Sequence, residues 1–467
     1  MEIIKEEILN HLRHLSRVNL DFLDFVKKNP EALNRSNYND VTQFKTGIST
    51  LQPWPTFIDR QVKKQLQEAS TSLFHLVRQI PQRLFANNPQ TLSAYFGFSP
   101  EYIQLQLESI KDGHLDNLMA RGDFIMSATG LKCIEYNVSG ALGGLDLPLM
   151  EATYLNNPII AKFIEQYHIR TYNTNQYVLL CRHLLAAVKK KFPPADHPEI
   201  NMAIIFPPIN STEAAAGAIK YLNQVYRQVL EEQGYSTNGT VSLCDFPHLT
   251  VQDNRIFYKG KRLHTLVEFY HGEVPLPVLF SSLLGNVILY NGPITLLLSN
   301  KLNHVLLSEN ENTGKFTPRE RELIKTYIPW TRRVVPGRVT YGTGTFHLED
   351  FLYSHREKLV VKPVSELGGK DVQVGKYTPA SRWEDMVKKF LSDQTSTWIV
   401  QEYLEPFTHL YQYGDNGYAE YETMWGLFVF GAQYAGGFLR ILPTENTKGV
   451  INTHQGATKT AIFEVDE

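Results

Sequence analysis

The chain has 467 residues, 43% of them hydrophobic and 20% charged, a soluble globular composition too long for one ordinary core, so two or three domains are expected. Its formal net charge of −2 gives no general attraction to nucleic acid or to an anionic membrane, so any basic site must be local. Cys133, Cys181 and Cys244 are widely spaced and form neither a metal-ligand pattern nor a disulfide framework, which suits a reducing compartment. No apolar run approaches the roughly 20 residues that cross a bilayer, and the amphipathic start MEIIKEEILNHLRHL has no continuous apolar signal segment. A cytoplasmic protein is expected.

Residues 1–95 read as a helix-rich packing or oligomerisation layer, with Ile3, Ile4, Ile8, Leu9, Leu12 and Leu15 at helical spacing and the same texture from Gln61 to Arg78. Ser99-Pro100 then supplies an N-cap and first helical position.

The stretch Arg121 to Gly144, RGDFIMSATGLKCIEYNVSGALGG, reads as a β-hairpin with strands Asp123 to Met126 and Leu131 to Tyr136. Glu135 and Asn137 are two apart on a strand and so share a face. A carboxylate and an amide oxygen placed together suit Mg²⁺, a hard cation that takes oxygen ligands and keeps waters and substrate phosphates. Ser139 and the glycines up to Gly144 can bring main-chain donors close to a substrate.

From Asn201 the texture changes to strand (Ala203 to Phe206), helix (Ser211 to about Gln233) and strand (Val241 to Cys244). This is a βαβ unit and hence a parallel sheet. The loop Pro207 to Thr212 falls at the carboxyl end of its first strand, where such sheets bind ligands. Asp253 to Lys261 reads as a tight hairpin, and Leu266 to Tyr270 and Val287 to Tyr290 as further strands. Thr317-Pro318-Arg319-Glu320 is a capping box.

In Leu359 to Gly375, LVVKPVSELGGKDVQVG, two Val-rich strands flank a loop holding Gly368 and Gly369. Glycines allow close main-chain approach and an anion-binding nest, and Lys362 and Lys370 add positive charge, so a polyphosphate is the natural guest. Glu366 beside phosphate implies a divalent cation between them. The spacing is not that of a Walker A loop. Thr397 to Leu404 is a strand whose edge offers donor and acceptor groups to an adenine, and further strands cover 426–430 and 437–439 before Arg440.

Together these stretches resemble the circularly permuted ATP-grasp ligases, the group that contains eukaryotic-type glutathione synthetase and glutathionylspermidine synthetase. The resemblance covers about residues 118–467. It implies an α/β (α+β ATP-grasp, circularly permuted) fold with an inserted small parallel α/β domain and a helical N-terminal region. The implied division is 1–95 helical, 96–170 the first ATP-grasp part with the metal hairpin, 171–300 the inserted domain, and 301–467 the nucleotide-binding part.

By the same resemblance Glu135, Asn137 and Glu366 are metal ligands. Lys301, Lys362, Gly368, Gly369, Lys370 and the hinge Gln401, Glu402, Tyr403 and Leu404 bind the nucleotide. Arg121 and Arg440 are catalytic and bind the substrate's carboxylate or the transferring phosphoryl group, with Ser139, Gln455, Gly456 and Ala457 also at the substrate. The lid has one fewer glycine than the glutathione synthetase type, with Leu367 after Glu366. The implied cofactors are ATP and Mg²⁺. The implied partners are a small-molecule carboxylate and an amine (amino acid, peptide or polyamine), not nucleic acid or a membrane, with monomer and homodimer both open. The implied activity is carboxylate–amine ligation through an acylphosphate. The alternative is a non-catalytic or kinase-like ATP-grasp protein that binds ATP without forming an amide.

Overall fold

A computed structural model describes residues 4–33, 51–110, 115, 118–140, 142–206, 213–269, 274–364, 371–393, 397–413, 417–452 and 455–466, with main chain only for 213–216 and 218. The described strands are numbered β1 to β20 in chain order.

The largest sheet has seven strands. Its path is β1 (Thr56–Ile58), β20 (Thr458–Glu464), β19 (Gln433–Pro443), β18 (Gly417–Phe430), β2 (Met119–Ser127) and β3 (Gly130–Asn137). β17 (Thr408–Tyr413) pairs with the first half of β18, while the second half pairs with β2. The expected strands at 426–430 and 437–439 are therefore parts of one long hairpin. β1 is a strand inside the stretch read as helical, and it lies parallel to β20.

The helix Arg60–Phe85 packs on one face of this sheet. Asp59 caps it by accepting from the Val62 main-chain N–H at 2.7 Å, and Ala86 ends it in the left-handed region. Its stripe Val62, Leu66, Leu73, Phe74, Val77 and Ile80 is buried, and each such side chain contributes about 2 kcal/mol of burial. Tyr136 of β3 points into that layer, stacking on Phe74 and donating its hydroxyl to the Ser70 carbonyl at 2.6 Å. Strand alternation then turns Glu135 and Asn137 to the opposite face.

A second, antiparallel sheet runs β11 (Thr331–Arg333), β16 (Trp398–Glu402), β14 (Leu359–Pro363), β15 (Gln373–Val374). β14 and β15 are the expected Val-rich hairpin, with Val360 opposite Val374. The sheet shares a core with the helices Leu348–Ser354 and Ala380–Ser392 through Phe351, Leu352, Trp383 and Val387. β12 (Arg338–Tyr341) and β13 (Gly344–His347) form a small separate hairpin.

The βαβ reading is realised in a parallel sheet with order β10-β9-β4-β5: β4 is Met202–Ile205, β5 Val241–Cys244, β9 Thr265–Glu268 and β10 Ile288–Tyr290. The helix Glu213–Glu232 makes the crossover. A three-stranded meander, β6 (Thr250–Gln252), β7 (Arg255–Tyr258) and β8 (Lys261–Leu263), stands beside it. The three cysteines are free. No described helix is long and apolar enough to cross a membrane.

Candidate active site

The seven-stranded and second sheets face each other across a cleft. β2 and β3 line it with Arg121, Asp123, Glu135 and Asn137, and β14 and β16 with Lys362, Gln401 and Glu402. Arg440 of β19 and the stretch Gly449 to Asn452 also line it.

Lys362 is buried and donates to Gln401 Oε1 at 2.7 Å; Gln401 in turn donates through Nε2 to Thr331 Oγ1 at 3.1 Å. Burial, with Lys301 adding repulsion, lowers the Lys362 ammonium to about 8, although Glu135 pulls the other way. Lys301 is also buried and stands 3.9 Å from Glu135 Oε1. Two lysines and a carboxylate thus converge from three separate elements.

Arg121 donates from Nε and Nη2 to the two oxygens of Asp123 (2.8 and 3.0 Å) and from Nη1 to the Gly143 carbonyl (3.2 Å). Arg440 Nη2 lies 2.7 Å from Asp123 Oδ2. Burial alone would raise the Asp123 carboxyl, but Arg121 and Arg440 outweigh it and hold it down at about 2. Arg440 Nε is buried with no hydrogen-bond partner among the described residues. Such an unsatisfied donor costs about 1–3 kcal/mol, which an anionic ligand would recover.

The hinge differs in detail from its sequence reading. β16 is an interior strand, and Glu402 N–H donates to Trp330 and Tyr403 N–H to Lys358, each at 2.8 Å. The residues meant to present an open edge to adenine therefore have these donors occupied, and Leu404 is the first past those bonds. All four hinge side chains line the cleft.

Asn137 donates its amide to Asp123 Oδ2 at 3.3 Å, leaving its carbonyl oxygen, with the Glu135 carboxylate, as the oxygen pair that fits Mg²⁺. Among the described residues no three His, Cys, Asp or Glu side chains converge as a metal set. Glu366, Gly368, Gly369, Lys370 and the loop Pro207 to Thr212 lie outside the described residues.

Ser139 is buried in the turn after β3, where the next residue, Gly140, packs so tightly that a Cβ would overlap the Glu268 carbonyl. Gln455 and Gly456 are exposed and do not line the cleft; Ala457 is buried in the apolar cluster with Ile125, Leu404, Met424 and Leu442.

One cleft residue, Asp123, and one buried lysine beside the cleft's Arg440, Lys459, escaped the sequence reading. Asp123 shares a face with Arg121 by the same alternation that pairs Glu135 with Asn137. Lys459 stands opposite Arg440 on β20, buried, 3.8 Å from Asp146 and over the Phe438 ring. The T-K-T alternation of the last strand was its only signal.

No family model and no curated protein matches this chain. Among solved structures it is similar to the apo form of a glutathione synthetase-like effector (GSS30) from Globodera pallida. The TM-score is 0.57 at 10% identity, over 92% of this chain and 96% of that one. The chain has a glutathione synthetase-like fold. At that identity the likeness extends to the fold alone.

Proposed function

We propose that this chain is an ATP- and Mg²⁺-dependent carboxylate–amine ligase working through an acylphosphate. The observation that carries the reading is the convergence of Lys362, Glu135 and Arg440 on one cleft between two sheets, in a glutathione synthetase-like fold.

Forming an amide from a carboxylate and an amine in water is uphill, so the acid must be activated. A carboxylate oxygen bonds to the γ-phosphorus, the bond from that phosphorus to the bridging oxygen breaks, and ADP leaves. The amine nitrogen then bonds to the acyl carbon, phosphate departs with the activating oxygen, and the nitrogen gives up its proton. Such transfer needs positioning and charge neutralisation more than covalent help. Lys362 and Lys301 supply positive charge at the phosphates. Glu135 and Asn137, with Glu366, would hold Mg²⁺, which offsets charge on the transferring phosphoryl group. Arg440 takes the acid through Nε, which has no hydrogen-bond partner among the described residues. Arg121, with all three nitrogens engaged inside the protein, holds Asp123 in place and contributes its charge.

One observation favours a second reading, nucleotide binding without amide formation. Asp123 already engages Arg121 and approaches Arg440, so an internal carboxylate stands where a substrate's is expected. A screen for ADP release over carboxylates paired with amines decides between them. Amine-dependent ADP release supports the ligase; tight ATP binding with no ADP release from any pair supports the second reading.

A further inference from the structure

We propose a second anion site, remote from the cleft, that takes a polyphosphate-bearing molecule at the open side of the parallel sheet. The site is an open concavity between the helix Glu213–Glu232, the edge strand β5 and the turn joining β7 to β8.

Four cations line it, Lys220 and Arg227 from the helix and Lys259 and Lys261 from the hairpin, and no Asp or Glu does. Lys220, Gln224 and Arg227 are spaced i, i+4, i+7, so they share one exposed face of the helix. None of the four cations forms an ion pair with a described carboxylate; the nearest acid along the helix, Glu231, lies a turn beyond Arg227 and does not line the concavity. The protein as a whole is slightly acidic, so this uncompensated charge is local and runs against the average.

Two features show that the place is built. β5 is the sheet's edge, yet its Val241 main chain is closed by Asn223, which donates to the Val241 carbonyl (2.8 Å) and accepts from the Val241 N–H (2.9 Å). Strand addition is therefore blocked at Val241, and the lining side chains form the recognition surface. At the rim, Lys259 adopts a left-handed backbone (φ 49°) beside Gly260 (φ 76°). Asn, Asp or Gly is the ordinary residue there. Its Nζ sits over the Tyr258 ring, 5.2 Å from the centroid. A ring beside four cations suits a phosphate chain, with or without a base to stack.

Calorimetric titration of the full chain with tripolyphosphate and with ADP tests this. Two classes of tripolyphosphate site are expected in the wild type. Lys259→Glu/Lys261→Glu should weaken one class at least tenfold, and Lys362→Met should weaken the other. Arg227→Gln should give a smaller loss in the same class as the hairpin variant. If Tyr258→Ala weakens ADP but not tripolyphosphate at this class, the ligand is a nucleotide; equal affinities assign it to the phosphate chain alone. A single class of site, lost with Lys362→Met and indifferent to Lys259→Glu/Lys261→Glu, overturns the proposal. So does binding confined to long polyanions such as RNA, with no tripolyphosphate bound.

Discussion

Arg440 of β19 reaches across β18 to place Nη2 2.7 Å from Asp123 Oδ2 on β2, so one buried carboxylate ties together two arginines from different strands. The Arg440 backbone pairs with Met424 and the Asp123 backbone with Gly426, so both approach over the same strand. Gly426 has no side chain to stand between them, and a Cβ there would press on Arg121 and Phe438.

Replacing Asp123 by Asn should accordingly leave two buried guanidinium groups without their counter-charge. A loss of about 3–5 kcal/mol is expected, measured by urea unfolding at neutral pH. The Asp123 carboxyl sits at about 2, below its ordinary 3.8, so its contribution is complete above pH 4 and is lost as pH falls toward 2. The variant should therefore lose less stability than wild type over that acid window. An equal loss would mean that the arginines are neutralised elsewhere.

For Lys362, the buried ammonium at about 8 is expected to regain its proton when a polyphosphate binds beside it. Above pH 8 nucleotide binding should take up a proton, and ATP affinity should fall by up to about tenfold per pH unit. Below pH 8 this group imposes no slope. Calorimetry in buffers of different ionisation enthalpy measures the uptake directly, and Lys362→Met should abolish it.

Glu135→Gln should retain the fold, since the residue is half-buried and its ion-pair partner among the described residues, Lys301, is 3.9 Å away. ADP formation should drop by roughly a hundredfold or more, because one charge at the metal amounts to several kcal/mol in the transition state. Arg440→Lys should lower kcat/KM for the acid at least tenfold, about 1.4 kcal/mol, with ATP affinity close to wild type. Equal losses in ATP affinity and turnover would assign Arg440 to the nucleotide instead.

At the far side of the sheet, His11 of the first helix (Glu6–Leu15) packs 4.5 Å from the Phe407 ring and 4.9 Å from His409 of β17. Burial, with His14 adding repulsion, drives His11 down to about 3, and burial with His11 drives His409 well below its ordinary value. Both rings are neutral in the fold and protonate only on unfolding. They cost nothing above pH 6.5, and stability falls by up to ~1.4 kcal/mol per pH unit per ring below it. His264 and His304 are depressed in the same sense, so the His11→Phe/His409→Phe variant should show a shallower acid slope, not a flat one. An unchanged slope from pH 6.5 to 4.5 would contradict this.

Much of the site was legible because period-two alternation is a strong local rule. It put Glu135 and Asn137 on one face, and Val360 opposite Val374 follows from the hairpin that the glycine pair announces. The same rule would have exposed Asp123 beside Arg121, but an R-G-D triplet in a wholly buried strand carries no outward polar–apolar contrast. β1 was hidden for another reason. Three residues, Thr56 to Ile58, have no period of their own and become a strand only because β20, some 400 residues later in sequence, lies alongside. At the hinge, nothing local says that β16 has β11 on its second side, with Trp330 just before β11 taking the Glu402 N–H. Long-range pairing of this kind is decided by tertiary context.

Activation of the acid by transfer of a phosphoryl group to its own oxygen, as proposed, is open to a direct isotopic test. With the acid and amine that the ADP-release screen identifies, ¹⁸O is placed in both carboxylate oxygens and the released phosphate is analysed by mass spectrometry. One ¹⁸O atom in each phosphate, equimolar with amide and ADP, is the predicted result. Unlabelled phosphate would mean that water, not the carboxylate, receives the γ-phosphoryl group, and would contradict it.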